Sequence, residues 1–290
     1  MKNISILGLG NISIELCSSL KKKGFNVFGS TDNSYRKIAL KKLGVKIFSR
    51  SNINKCILKA DKIIITIPPD ADGCPVVRNF SKEIIESNIQ WIGYLSSTSV
   101  YGNHNGKVVN ENSLLRPKEE VAKSRIEGEK DIQVLGEKHS IAVEIFRVSG
   151  IYGKDRNVIN QILSKKVKPL YKKGHFFNRI HEEDIARVLT RACLNKTNSG
   201  VVNLSDDLPA SQLEVISHAF SIMNMTMPKY KNYNDISSKI PLSVRRFWES
   251  NRRVDNTLLK KRYGELLHPT YKEGLLYIHN NYLSHSLNKD

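Results

Sequence analysis

Ile4-Ser5-Ile6-Leu7-Gly8-Leu9-Gly10-Asn11-Ile12-Ser13 is the stretch on which the reading of this chain turns. A short apolar strand runs straight into a turn with two glycines, and a helix-length amphipathic stretch follows. That order aims backbone N–H groups and the positive end of a helix at one spot, where a dinucleotide pyrophosphate fits. The first glycine makes the tight turn and the second lets backbone approach phosphate. The third position of the pattern, normally Gly or Ala, lets the helix pack close to the strand. Ser13 stands there, and it is small enough to be tolerated. Two glycines at a strand–helix turn also arise for conformational reasons alone, so the motif needs support from the rest of the chain.

With 290 residues, 40% of them hydrophobic, the chain is long enough to bury a large core. No apolar run approaches the length of a membrane span, and the N-terminal apolar stretch is too short for a signal peptide. Cys17, Cys56, Cys74 and Cys193 lack metal-type spacing, which implies reduced thiols in a cytoplasmic protein rather than a disulfide frame or a zinc site. The net charge of +18 has two readings: a footprint for polyanions, or a lysine-rich composition spread over the surface. Lys21-Lys22-Lys23 and Lys41-Lys42 fall at the ends of expected helices, where cations suit the helix dipole. The denser run from Arg245-Arg246 to Lys260-Lys261-Arg262 is the candidate for a nucleic-acid contact, although charge runs are usually solvated faces. An anionic small molecule suits the overall charge better, and no membrane partner is expected.

Strands are expected at 2–7, Phe25–Ser30, Val45–Phe48, Lys62–Ile67, Trp91–Leu95 and Ile141–Phe146, with helices near 12–23, 33–43, 75–89 and 117–138. Continuous apolar strands separated by helices imply a parallel sheet covered on both faces. This is an α/β, Rossmann-type, doubly wound core over residues 1–153. The alternation breaks down after Gly153. Helices near 155–165, 182–194, 209–223, 254–262 and around Tyr271–Asn280, with a strand at Val201–Leu204, imply a smaller α+β substrate cap over 154–290, some segments returning to the core.

Further motifs carry a resemblance. Tyr94-Leu95-Ser96-Ser97-Thr98-Ser99-Val100-Tyr101-Gly102 follows the fifth expected strand, so its hydroxyls emerge at the carboxyl edge of the sheet. Phe146-Arg147-Val148-Ser149-Gly150-Ile151-Tyr152-Gly153 and Asn178-Arg179-Ile180-His181-Glu182-Glu183-Asp184-Ile185-Ala186 lie downstream, and Thr66-Ile67-Pro68-Pro69-Asp70 upstream. Together with Pro269-Thr270-Tyr271-Lys272-Glu273-Gly274-Leu275 they span nearly the whole chain in order. The chain resembles the extended short-chain dehydrogenase/reductase superfamily, in its atypical, nucleoside-diphosphate-sugar epimerase-like branch. The resemblance implies an NAD(P)-binding oxidoreductase or epimerase/dehydratase acting on a hydroxyl or carbonyl carbon of a nucleotide sugar or similar small polar molecule. It also implies a homodimer, by analogy with relatives that pair through helices of this sheet.

One departure is central. That family uses a Tyr-x-x-x-Lys pair on the helix after the Ser motif, and here Val121 and Arg125 stand in those places. Valine transfers no proton, and general acid–base help is worth about 10²–10⁴ in rate. Arg125 stays protonated and can at most hydrogen-bond a nicotinamide ribose. By resemblance, the catalytic candidates are Ser97, to polarise the substrate oxygen, and Tyr101 or an ordered water, to supply the proton. His104 is a second stand-in, His181 is a capping-region histidine or a substrate contact, and Lys123, two residues from Arg125, shares no face with it.

For the cofactor, Gly8, Gly10 and Asn11 are expected at the pyrophosphate, Ser30, Thr31 and Arg36 at the adenosine ribose, and Pro68 along the cofactor path. Ser30, Thr31 and Arg36 favour the 2′-phosphate of NADP, whereas Asp32 favours NAD. The alternative function is a catalytically silent NAD(P)-binding sensor or assembly factor, which keeps the fold and loses the chemistry.

Overall fold

The computed structural model describes residues 2–195 and 198–283. Two units emerge from it: residues 1–100, 118–148 and 183–202, and residues 101–117, 149–182 and 203–290. The chain therefore enters the second unit at Tyr101, well before Gly153, and returns twice to the first.

Six strands of a seven-stranded sheet lie in the first unit, β1 (Asn3–Leu7), β2 (Asn26–Ser30), β3 (Lys46–Phe48), β4 (Lys62–Ile65), β5 (Trp91–Ser97) and β6 (Ala142–Val148), and the seventh, β7 (Gly200–Leu204), runs across its boundary after Val202. Their spatial order is β3-β2-β1-β4-β5-β6-β7, and β1 to β6 pair in parallel. The expected doubly wound sheet is thus present, with the chain reversing direction across the sheet at β1. Helices α1 (Ser13–Lys22), α2 (Ser34–Lys42), α3 (Ile53–Ile57), α4 (Pro75–Glu86), α5 (Glu120–His139) and α6 (Glu182–Leu194) accompany it.

The strands lie side by side because both faces are apolar: Ile63, Ile64 and Ile65 are all fully buried, as are Ile4 and Leu7. Leu7 pairs with Ser30 on one side and Ile65 on the other, and Ile65 with Tyr94. This register brings the turn after β1, the end of β2 and the end of β4 together at one carboxyl edge. Leu9 folds back over β2, where a Cβ on Gly29 would meet its side chain at 2.7 Å, so only glycine fits there. Helix α5 is anchored by a buried ion pair: Arg147 on β6 donates from Nη2 to Glu129 Oε2 at 2.7 Å, and Ser96 on β5 donates to Glu129 Oε1 at 2.5 Å. Lys62 donates to the carbonyls of Cys193 and Asn195, both at 2.7 Å, and closes the end of α6 with a cation where the helix dipole is negative.

The second unit is built from short pieces. Residues 150–152 pair with 179–181, 170–171 with 231–232 and 108–109 with 253–254. Helices over 158–163, 212–222 and 271–278 enclose a core of Tyr152, Ile159, Ile216, Phe220, Leu275 and Ile278. Ser211 and Glu214 form a reciprocal capping box at the start of the 212–222 helix.

Candidate functional site

At the carboxyl edge the turn is shaped by its own hydrogen bonds. Gly8 has φ +99°, and a Cβ there would lie 2.8 Å from Ile67 and 2.9 Å from Thr66, so the residue must be glycine. Thr66 Oγ1 donates to the Gly8 carbonyl, and Ser13 Oγ donates to the Gly10 carbonyl at 2.6 Å. Ser13 thus ties the turn closed at the position where the pattern expects a third glycine. The carbonyls are drawn inward, and α1 begins without a side-chain cap. Among the described residues the N–H groups of Gly10, Asn11 and Ile12 donate to no backbone carbonyl outside the helix. Unspent donors at a helix N-terminus are what an anionic diphosphate needs, so the turn fits the pyrophosphate of a dinucleotide.

The neighbouring strand end sorts the ribose candidates. Arg36 reaches from α2 and donates to Asn11 Oδ1, which ties it to the glycine turn. Its helix is capped by Asn33, which accepts the Arg36 N–H at 2.9 Å. Asp32 is engaged by Arg50, through Nε at 3.4 Å and through the backbone N–H at 3.3 Å. Ser30 and Thr31 are buried at the end of β2, and Thr31 Oγ1 accepts the Asn33 N–H at 3.2 Å. Arg36 is therefore the ribose candidate whose guanidinium stands beside the glycine turn, on Asn11. Pro68 is exposed just beyond β4.

Beyond β5 the hydroxyls divide. Ser96 is spent on Glu129 and Thr98 is buried. Ser97 is half-buried and accepts the Ser99 N–H at 3.1 Å, which leaves its own proton to give. Tyr101 departs from expectation. It is fully buried, and its hydroxyl donates to Asn203 Oδ1 at 2.6 Å within the second unit. A phenol without exposed surface, already donating to an amide, is a structural strut and a poor proton donor. His104 sits against the Leu114 carbonyl at 3.1 Å, and Lys123 pairs with Glu120 at 2.7 Å on the outer face of α5. His181 is buried, with its ring centroid 4.0 Å from that of His268 and its edge against Tyr152.

Val121 is exposed in the first turn of α5. One turn on, Arg125 points at the sheet and donates to the Leu95 carbonyl at 3.0 Å. Burial lowers its pKa, partly opposed by the nearby Tyr94 phenol. A guanidinium held there reaches the end of β5 as a fixed donor and offers no proton relay.

The second unit contributes a cavity of about 370 Å³. Its walls are mainly apolar and aromatic, with Phe177, Phe247, Trp248 and Tyr271 around Arg156 and Arg179. Arg179 donates to the carbonyls of Phe177 at 3.0 Å and Ala210 at 3.3 Å, and it lies over the Phe177 and Tyr271 rings. Burial lowers its pKa, and Asp206 opposes that shift. The sequence placed Arg179 in a family motif but gave no sign of Phe247 and Trp248, about seventy residues further along. The basic run beginning at Arg245 is largely consumed by structure. Arg252 donates to the Gly102 carbonyl and burial lowers its pKa to about 10. Arg253 donates to the Gly106 carbonyl, and Lys260 pairs with Asp207 at 3.0 Å. Those cations are not available to a nucleic acid.

The chain has an α/β Rossmann-like fold that it shares with solved epimerase structures. It superposes on a functionally unknown conserved protein from Silicibacter pomeroyi DSS with TM-score 0.90 and 26% identity, covering 97% of this chain and 99% of that one. UDP-glucuronic acid 4-epimerase from Bacillus cereus, solved with UDP-glucuronic acid and NAD, matches with TM-score 0.75 and 20% identity over 97% of this chain and 100% of its own. The human epimerase family protein SDR39U1, solved with NADPH, matches with TM-score 0.75 and 14% identity over 96% and 99%. In sequence, protein YeeZ of Escherichia coli (strain K12) is 23% identical over 250 residues, 81% of this chain and 89% of YeeZ. No protein-family model matches the chain. Among the described residues, no helix is long and apolar enough to cross a membrane.

Proposed function

We propose that this chain is a cytoplasmic NADP-binding protein of the extended short-chain dehydrogenase/reductase type that acts on a nucleotide sugar or a similar anionic polar molecule. The observation that carries the reading is the glycine turn, with free N–H donors at the start of α1 and Arg36 tethered beside them. Gly8, Gly10 and Asn11 would hold the pyrophosphate, and Arg36 would take the 2′-phosphate. Asp32, the residue that would select NAD, is already paired with Arg50. The bound nicotinamide would supply hydride chemistry. Ser97 would hydrogen-bond the substrate oxygen, and Arg125 would fix the end of β5 beneath it. The aromatic walls and half-buried Arg179 of the second unit's cavity suit a nucleoside with its phosphates.

A second reading is favoured by Val121: a binding protein that keeps the cofactor and has lost turnover. Both readings require cofactor binding. The test is titration of the purified protein with NADPH and with NADH, followed by nicotinamide fluorescence. NADPH is expected to bind more tightly, and Arg36→Ala is expected to remove most of that preference. Equal affinities would refute the NADP assignment, and absence of binding by either would refute the site.

A further inference from the structure

The end of β2 carries an acid where a 2′-phosphate would be repelled by one. β2 lies between β1 and β3, and its last residue, Ser30, pairs with Leu7 on one side and with Phe48 on the other. The strands stay in step just past the ladder: the Leu9 N–H donates to the Ser30 carbonyl at 2.9 Å and the Thr31 N–H to the Phe48 carbonyl at 3.3 Å. Asp32 and Arg50 each stand two residues beyond the paired Ser30 and Phe48, so they meet at the carboxyl edge. There the Arg50 N–H donates to Asp32 Oδ1 at 3.3 Å, and Arg50 Nε lies 3.4 Å from Asp32 Oδ2. Toward β1, Arg36 donates to Asn11 at the glycine turn. Asp32 therefore leaves β2 with one guanidinium on the β1 side and another on the β3 side.

The way Arg50 is held decides what it can still do. Its turn is closed locally, with the Asn52 N–H on the Ser49 carbonyl at 3.0 Å and Asn52 Nδ2 on Ser49 Oγ at 2.8 Å. A guanidinium offers five N–H donors in a planar fork. The Asp32 side chain engages Arg50 through Nε and the backbone N–H, and among the described residues Nη1 and Nη2 make no shorter contact with an acceptor. Both side chains are exposed, 78% for Arg50 and 54% for Asp32. An exposed pair of this kind adds little to stability, so its consequence is the charge it presents at the edge. A bare Asp32 would accept ribose hydroxyls and repel a phosphate. Paired, its charge is offset, and it anchors a cation whose outer nitrogens remain for an anion.

Given NADP held at the glycine turn, the reading on which this rests, we infer that Arg50 is a second specificity-determining cation for the 2′-phosphate and that Asp32 is its positioning residue. Two guanidiniums, Arg36 from α2 and Arg50 from the turn after β3, would take the phosphate through charge-assisted hydrogen bonds. Asp32, in the place of an NAD selector, would then serve the opposite nucleotide. The sign of its contribution depends on Arg50. With Arg50 present, the carboxylate fixes a phosphate-binding cation. With Arg50 removed, the same carboxylate repels the phosphate and is released to the ribose hydroxyls.

The test is the affinity for NADPH and for NADH, by nicotinamide fluorescence at one salt concentration, of the parent, Arg50→Ala, Asp32→Ala and the double variant. Arg50→Ala is expected to weaken NADPH by about tenfold, the scale of a charge-assisted hydrogen bond, and to tighten NADH as Asp32 is released. Asp32→Ala is expected to weaken NADPH by about threefold, the scale of an exposed ion pair. In the Arg50→Ala background the same substitution should instead tighten NADPH, a reversal that neither a structural role nor simple repulsion produces. All variants should keep the parent's thermal midpoint, because both side chains are exposed. Unchanged NADPH affinity in Arg50→Ala, or tighter NADPH in Asp32→Ala with Arg50 present, would overturn the assignment. If Arg36→Ala still weakened NADPH in that case, the NADP reading itself would stand. A parent that bound neither nucleotide, or preferred NADH, would refute that reading and this role with it.

Discussion

At the scale of single residues, the clearest result is that Arg125 is occupied. It donates to the Leu95 carbonyl, while Val121, one turn earlier on α5, is exposed. A tyrosine at 121 has room, and a lysine at 125 would restore a titratable ammonium. Val121→Tyr with Arg125→Lys is therefore expected to raise hydride transfer to a nucleotide-sugar substrate by about 10²-fold or more if only the acid–base pair is missing. Unchanged, negligible turnover in a variant that still binds NADPH would mean that the chemistry is absent for other reasons. His175 makes a different kind of prediction. It is buried against Trp248 and Phe177, and both ring nitrogens lack partners among the described residues. Burial, with Lys172 and Arg252 nearby, lowers its pKa from 6.5 to about 4. The folded state therefore resists a proton that the unfolded chain accepts. The stability linked to this group is fully present above pH 6.5 and is lost as pH falls through about 4. His175→Phe is expected to flatten that acid loss in urea melts at neutral pH and near pH 4; parallel melts for parent and variant at both values would contradict it.

At the scale of elements, the turn into α1 separates folding from binding. A Cβ on Gly8 would collide with Thr66 and Ile67, but one on Gly10 would find its nearest atom at 3.8 Å, and Gly10 has no positive φ. Gly10→Ala should thus keep the parent's thermal midpoint and lose NADPH affinity by about tenfold or more, because a methyl would stand where phosphate must approach backbone. An unchanged affinity would move the pyrophosphate away from this turn. The same contrast shows what the sequence could convey. Runs such as Lys62–Ile65 are apolar at every position because both faces are covered, so β4 and its neighbours were legible locally. Helix α3, five residues long, gave no periodic signal. The strands of the second unit are two or three residues each, and their partners lie far along the chain, as with Val108–Val109 and Arg253–Val254. The glycines, Arg36 and Ser97 could be read as candidates by position. That Tyr101 is consumed by Asn203, and Asp32 by Arg50, depends on tertiary neighbours that no local pattern records.

At the scale of the whole molecule, 46 lysines and arginines face 28 aspartates and glutamates. Such an excess repels itself more strongly in the folded state than in the expanded chain. The ion pairs that oppose it are weak where they are exposed: Lys82–Glu86, Lys123–Glu120 and Lys130–Glu127 lie on outer helix faces and contribute under about 1 kcal/mol each. Glu129–Arg147 is buried, so dissolved salt screens it little. Adding chloride should then remove more repulsion than attraction. The urea midpoint is expected to rise as KCl goes from about 0.01 M to about 0.15 M, a change that shortens the screening length from about 30 Å to about 8 Å. A charge-reversed variant supplies an internal control. Lys46→Glu with Lys59→Glu reverses two cations that line one groove, so that variant should be more stable than the parent at low salt and respond less steeply to KCl. A midpoint that falls with salt in the parent would mean that attractive pairs outweigh the excess charge. The same slope in both proteins would mean that Lys46 and Lys59 lie too far from the other cations to be repelled by them.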